Sequence, residues 1–70
     1  MNLGELVKEY RGAHGLSLRA FSRKAEISHS EVMRIEKGLR ATPSLHVMMR
    51  LATAMETSLE ELLALVHEGG

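Results

Sequence analysis

The chain predicts an all-α fold, a compact single domain (1–70) built from five helices. Three observations lead there. Sustained alternation of apolar and polar residues and Asn-Gly turns are both absent, so strand and hairpin signals are missing. Apolar residues recur instead at three- and four-residue spacing in five blocks. Each block follows an Asn, Ser or Thr, a side chain able to accept from the free amides of a helix start.

The first helix starts at Asn2, with Glu5 three residues on as a capping box, and carries Leu3, Leu6, Val7 and Tyr10 on one face. It stops at His14-Gly15, where glycine can turn left-handed and histidine meets the negative end of the helix dipole. The second runs from Ser17 to about Ala25. The third runs from Ser28 to about Lys37, with Glu31 completing its cap and Gly38 as its stop. A loop from Leu39 leads to Thr42 as cap and Pro43 as the first residue of a fourth helix, since proline lacks only an amide that has no partner there. That helix places Leu45, Met48, Met49, Ala52 and Met55 on one stripe, widened by Val47 and Leu51, which predicts a central position. The fifth begins at Ser58 with Glu61 as capping partner.

Length and composition narrow the setting. A 70-residue chain buries only about 60% of the surface its unfolded form exposes, so the core is modest and dimerisation would add useful burial. With no cysteine there are neither disulfides nor thiolate metal sites, and a reducing cytoplasm is the expected compartment. The start, MNLGELVKEY, carries Glu5 and Glu9 and lacks the basic-then-apolar pattern of a signal peptide. The longest apolar run, Leu62 to Val66, is too short to cross a bilayer. No membrane association is expected.

Residues 17–37 carry the functional signal. Leu16 precedes the cap Ser17 with Phe21 four residues after it, and Ile27, Ser28 and Val32 repeat that arrangement eleven residues later, so both helix starts can close with a hydrophobic staple. Two short helices started this way pack at a steep angle, a helix-turn-helix that projects its second helix outward, as entry into a DNA major groove requires. At about 100° per residue, His29, Ser30, Met33, Arg34 and Lys37 share one arc of that helix, opposite Val32 and Ile35. No carboxylate lies inside the arc. A solvated helix face ordinarily mixes signs, so an acid-free stripe flanked by Arg19 and Arg23 of the preceding helix favours a polyanion.

The formal net charge of zero conceals two ends. From Ser17 to Arg50 there are seven Lys and Arg against three Glu, whereas beyond Arg50 there are four Glu and neither Lys nor Arg. An acidic end would orient the basic one toward DNA.

These motifs resemble those of the phage-repressor and Cro-type helix-turn-helix family, also called the xenobiotic-response-element family, over nearly the whole chain. The resemblance rests on the Leu-Ser-x-x-x-Phe start, the Ile-Ser of the third helix, the run Arg34-Ile35-Glu36-Lys37-Gly38, the Thr-Pro-Ser stretch and the Ser-Leu-Glu-Glu-Leu-Leu close. It implies a five-helix, lambda-repressor-like DNA-binding domain acting as a transcriptional regulator. By position it implies base contacts from Ser28, His29, Ser30 and Arg34, with Met33 near a thymine methyl. It implies phosphate contacts from Ser17 and its amides, Arg19, Arg23, Lys37, Arg40 and Thr42. It also implies that Arg11 pairs with Glu36. Three departures stand out: Leu18 replaces a common Gln, and Glu26 and Glu56 replace the usual Gly at helix ends.

The fifth helix has more apolar positions than one small core covers, so Leu59, Leu62, Leu63 and Val66, with Leu39, form a candidate dimer interface in a segment of about 58–70. The expected partners are double-stranded DNA and a second copy of the chain. The competing reading is an antitoxin or protein-interaction adaptor on the same frame, binding a toxin or a polymerase. The four histidines lack the i, i+4 spacing of a helical metal site and read as scattered surface residues, with His29 alone on the outward face. The methionines read as core filler apart from Met33. No residue set supplies an acid, base and nucleophile, and no Gly-rich loop cradles a nucleotide, so neither enzyme activity nor a cofactor is expected.

Overall fold

Helix starts in this protein are set by short polar side chains. The computed structural model describes residues 2–39 and 43–69, which form α1 (Leu3–His14), α2 (Leu18–Ala25), α3 (His29–Glu36), α4 (Leu45–Ala54) and α5 (Leu59–Gly69), with no strand among the described residues. At α1 the capping box closes both ways: Glu5 N–H donates to Asn2 Oδ1 at 2.9 Å and Asn2 N–H to Glu5 Oε1 at 3.2 Å. Ser17 Oγ accepts from Ala20 N–H at 3.0 Å, Ser28 Oγ from Glu31 N–H at 3.1 Å, and Ser58 Oγ from Glu61 N–H at 3.0 Å. The Glu61 carboxylate, expected to bond back to Ser58, accepts from the Thr57 hydroxyl at 2.8 Å.

The start of α4 differs from expectation. Ser44 is the cap, its Oγ accepting from Val47 N–H at 3.3 Å, and Pro43 lies ahead of the helix. Proline's fixed φ suits either position, so the hydroxyl able to reach an amide three residues on decides where the helix begins. The expected cap, Thr42, lies outside the described residues.

Four helices end through a left-handed residue that turns the chain back on the last carbonyls. Gly15 (φ 62°) and Gly38 (φ 78°) serve α1 and α3, while Glu26 (φ 56°) and Glu56 (φ 57°) serve α2 and α4. Leu16 N–H reaches Arg11 carbonyl at 2.9 Å, Ile27 N–H reaches Ser22 at 3.1 Å, Leu39 N–H reaches Arg34 at 2.9 Å, and Thr57 N–H reaches Ala52 at 2.9 Å. Each left-handed glutamate costs roughly 1 kcal/mol relative to glycine, and each is held by a bond from another element. The Glu56 carboxylate accepts from Tyr10 Oη at 2.8 Å and Lys24 Nζ at 3.3 Å, and Lys24 also donates to Tyr10 Oη at 2.5 Å. Hydrogen bonding from Tyr10 and then Lys24 lowers the Glu56 pKa from its ordinary value; the bond to Tyr10 is the main cause that raises that of Lys24.

All five helices contribute to one core. Val7 of α1, Phe21 of α2, Val32 and Ile35 of α3, Leu51 of α4 and Leu62 of α5 are fully buried, and Leu16 and Ile27, the residues ahead of the two staples, pack against them. α3 packs on α1 and α2, while α4 packs on α2 and α5. The radius of gyration, 10.6 Å, is close to the roughly 11 Å of a well-packed chain this long.

Two expectations about apolar faces are corrected. In α4 the core line is Met48, Leu51, Ala52 and Ala54, and Leu45 and Met49 stay 63% and 52% exposed. Seven apolar candidates are more than one face accommodates, and packing on α2 and α5 selects which turn inward. In α5, Leu62 is fully buried in the protein's own core, so it offers no surface to a second subunit, and Leu59 and Val66 are half-buried against the same core. The outward surplus is Leu63, Leu65 and, beyond α3, Leu39 at 72% exposure. Among the described residues no helix is long and apolar enough to cross a membrane.

Candidate nucleic-acid interface

α3 is anchored through one side and one end, which leaves its other side free. Val32 and Ile35 are buried, whereas His29, Ser30, Arg34 and Lys37 are exposed and Met33 is half-buried. The five residues of the sequence-derived arc thus lie on or beside the open side of the helix. Glu36, the carboxylate that would otherwise dilute this charge, is turned away. It accepts from Arg11 Nε at 2.5 Å and Nη2 at 2.8 Å, and its side chain is 8% exposed. This two-pronged geometry matches the planar guanidinium fork, and hydrogen bonding to Glu36 raises the Arg11 pKa above its ordinary value.

Arg11 reaches further than the pair alone. Its Nη1 donates to the Leu16 carbonyl at 3.0 Å, so one side chain of α1 ties the residue before the α2 cap to the last turn of α3. Gly4 permits that approach: a Cβ there would lie 2.4 Å from the Ile35 carbonyl oxygen and 3.1 Å from Glu36 Cα. Neither Gly4 nor the Leu16 bond was part of the sequence reading. A glycine inside a helical pattern was the available signal, since it often marks close packing.

α2 supplies the flank. Arg19 and Arg23 are exposed and, with Ser22, Glu26, Ile27 and His29, line a surface cleft of about 420 Å³ between α2 and the start of α3. The cleft holds three side chains able to carry positive charge against one carboxylate, an arrangement that attracts anions. Ser17 and Ser28 stand at the two helix starts with their oxygens engaged by amides, leaving their hydroxyl protons to donate outward. Leu18 is half-buried and packs on the core. Arg40 and Thr42, expected to touch phosphates, lie outside the described residues.

Two short helices joined by a tight left-handed turn, the second buried on one side and cationic on the other, define a helix-turn-helix domain. The chain belongs to that family, with residues 2–65 matching the helix-turn-helix domain. Among named proteins it is similar to the HTH-type transcriptional regulator SinR of Bacillus subtilis (strain 168), 30% identical over 66 residues that cover 94% of this chain and 60% of that protein. It is also similar to SlrR of the same bacterium, another HTH-type transcriptional regulator, 27% identical over 60 residues covering 86% of this chain and 40% of that one. The chain therefore spans 60% or less of the length of these relatives. Its fold matches the crystal structure of the master regulator for biofilm formation SinR in complex with DNA, with a TM-score of 0.77 at 30% identity, covering 87% of this chain and 97% of that one. It also matches a chain of the SinR protein/SinI protein complex, with a TM-score of 0.80 at 29% identity, covering 97% of this chain and 66% of that one.

Proposed function

We propose that this chain is the DNA-binding domain of a sequence-specific transcriptional regulator, working in the cytoplasm and reading a pseudo-palindromic operator as a homodimer through α3 in the major groove. The single observation that supports this most is the free face of α3: Arg34, Lys37, His29 and Ser30 stand outward while Glu36 is drawn to the opposite side by Arg11. The similarity to a regulator solved in complex with DNA points the same way. In this reading Arg34 takes a guanine edge, His29, Ser30 and Ser28 contact neighbouring bases, and Met33 touches a thymine methyl. Ser17, Arg19, Arg23, Lys37, Arg40 and Thr42 hold phosphates and set register. The chemistry is recognition, without a catalytic step or cofactor.

Selection of bound sequences from random DNA tests the reading. A palindromic consensus with half-sites about 34 Å apart is expected. Arg34→Ala should lose about 1–3 kcal/mol of discrimination at one base position per half-site, while Lys37→Ala should weaken all sequences alike and reduce the slope of log K against log salt by about 0.9 per site. Binding indifferent to both salt and sequence would remove the proposal.

The dimer contact is assigned to the exposed Leu39 and Leu63, together with the uncovered edges of Leu59 and Val66. Leu39→Glu combined with Leu63→Glu should give a folded monomer in sedimentation; an unchanged dimer mass would move the contact elsewhere. A second reading, an adaptor binding a protein, is favoured by exposed Leu63 and Leu65 and by the similarity to a regulator solved with a protein partner. An apolar partner surface responds weakly to salt, so the salt slope separates the two readings.

A further inference from the structure

We propose that Arg50 of α4 is a positioning residue for the reading helix, holding the turn between α2 and α3 at the angle that specific DNA binding needs. The inference rests on the DNA-binding reading above and deepens it by adding a residue outside the helix-turn-helix.

The turn is fastened on one side only by its own backbone. Glu26 N–H and Ile27 N–H bond back to the Arg23 and Ser22 carbonyls at 3.2 and 3.1 Å, which secures the end of α2. Glu26 itself is left-handed (φ 56°, ψ 41°), and its carbonyl accepts from Arg50 Nη1 at 2.5 Å, across twenty-four residues of chain. Apolar packing at this point comes from Ile27, half-buried against the core, while open clefts lie on both sides of Arg50. One, about 310 Å³, separates Ser28 and Glu31 of the α3 start from Ser44 and His46 of the α4 start; the other, about 260 Å³, lies between Lys24 of α2 and Met49 of α4. α3 packs on α1 and α2, and α4 on α2 and α5, so this bond links the scaffold helix α4 directly to the turn that aims α3. A charged donor on a backbone carbonyl is directional, and it adds a fixed orientation at Glu26 to the packing of Ile27 beside it.

Arg50 is exposed and basic, so a phosphate contact is the rival role, and the two roles separate in three measurements on the whole chain. First, Arg50→Met should lower affinity for the selected operator about tenfold, the equivalent of one net hydrogen bond, while affinity for random DNA and the salt slope stay at wild-type values. Second, native-state hydrogen exchange should accelerate at the bonded amides of Glu26, Ile27 and Glu31 and leave those of α1 and α5 unchanged. Third, Arg50→Lys, which retains a donor of nearly the same reach, should restore most of the discrimination. If operator and random DNA weaken together and the slope falls by about 0.9, Arg50 grips a phosphate and the assignment is wrong. Unchanged exchange at the turn also overturns it. Should Arg50→Met lose the fold, Arg50→Gln, whose side chain is two bonds shorter, carries the test: faster exchange confined to the Glu26, Ile27 and Glu31 amides supports the tether, and uniform acceleration overturns it. Failure of the wild-type chain to select any sequence would instead strike the DNA-binding reading, while the exchange comparison still decides the role of Arg50.

Discussion

Glu36→Leu lowers the unfolding free energy by about 3 kcal/mol, a large part of the roughly 4–10 kcal/mol that a domain of this length holds. The loss comes less from the attraction removed than from the charge left behind. Arg11 keeps 23% of its side chain in contact with solvent, so its guanidinium would sit half-sheltered with one carbonyl, that of Leu16, in place of three acceptors. That partial exposure places the cost at the low end of the range for buried pairs. Thermal unfolding should show a midpoint about 12–24 °C lower. Combining Arg11→Met with Glu36→Leu should recover most of the loss, because the stranded charge goes with its partner. Strict additivity of the two single changes would mean that the pair contributes no coupling. On the proposed function, DNA affinity should fall in the single variant even well below its midpoint, since Arg11 orients the end of α3 as well as stabilising it.

Gly4→Ala is the second large effect, and its sign is opposite to helix propensity. Alanine ordinarily favours a helix interior over glycine by about 1 kcal/mol. Here the added methyl would lie 2.4 Å from the Ile35 carbonyl oxygen, a backbone atom that cannot swing aside. α1 and the last turn of α3 must separate, at an overpacking cost of about 1–3 kcal/mol, and the Arg11–Glu36 bonds lie in the gap that opens. A net loss of about 1–2 kcal/mol is expected in urea unfolding, together with, on the proposed function, DNA binding weakened about tenfold as the outward face of α3 tilts. A raised unfolding midpoint with unchanged affinity would show that the interface between α1 and α3 yields more easily than its distances imply.

Both effects originate where residues far apart in the chain meet, and the same boundary separates what could be read early from what could not. The caps at Asn2, Ser17, Ser28 and Ser58 and the stops at Gly15 and Gly38 are events within three to five residues, so spacing discloses them; the left-handed glutamates were indicated only by the family resemblance, which has Gly at those helix ends. The outward arc of α3 was equally accessible, because Val32 and Ile35 mark its buried side at helical period. The start of α4 fell at Ser44, whose hydroxyl reaches the Val47 amide, and the expected cap lies outside the described residues. The inward placement of Leu45 and Met49 in α4 and the interface role of Leu62 failed for a different reason: more apolar residues were available than the core holds, and chain spacing does not say which of them the neighbouring helices will cover.

Local hydrogen-bonding and periodicity along the chain were enough to specify five helices, the starts of four of them, the glycine stops of α1 and α3, and a cationic outward face free of carboxylates. The packing of helices against one another settled the rest: burial of Leu62, exposure of Leu45 and Met49, the close pass at Gly4, and the bonds that Arg11 and Arg50 send across the fold. The division is physical. A cap or a turn is satisfied by partners a few residues away, whereas a shared surface or a long-range hydrogen bond exists only once distant segments have been brought into contact.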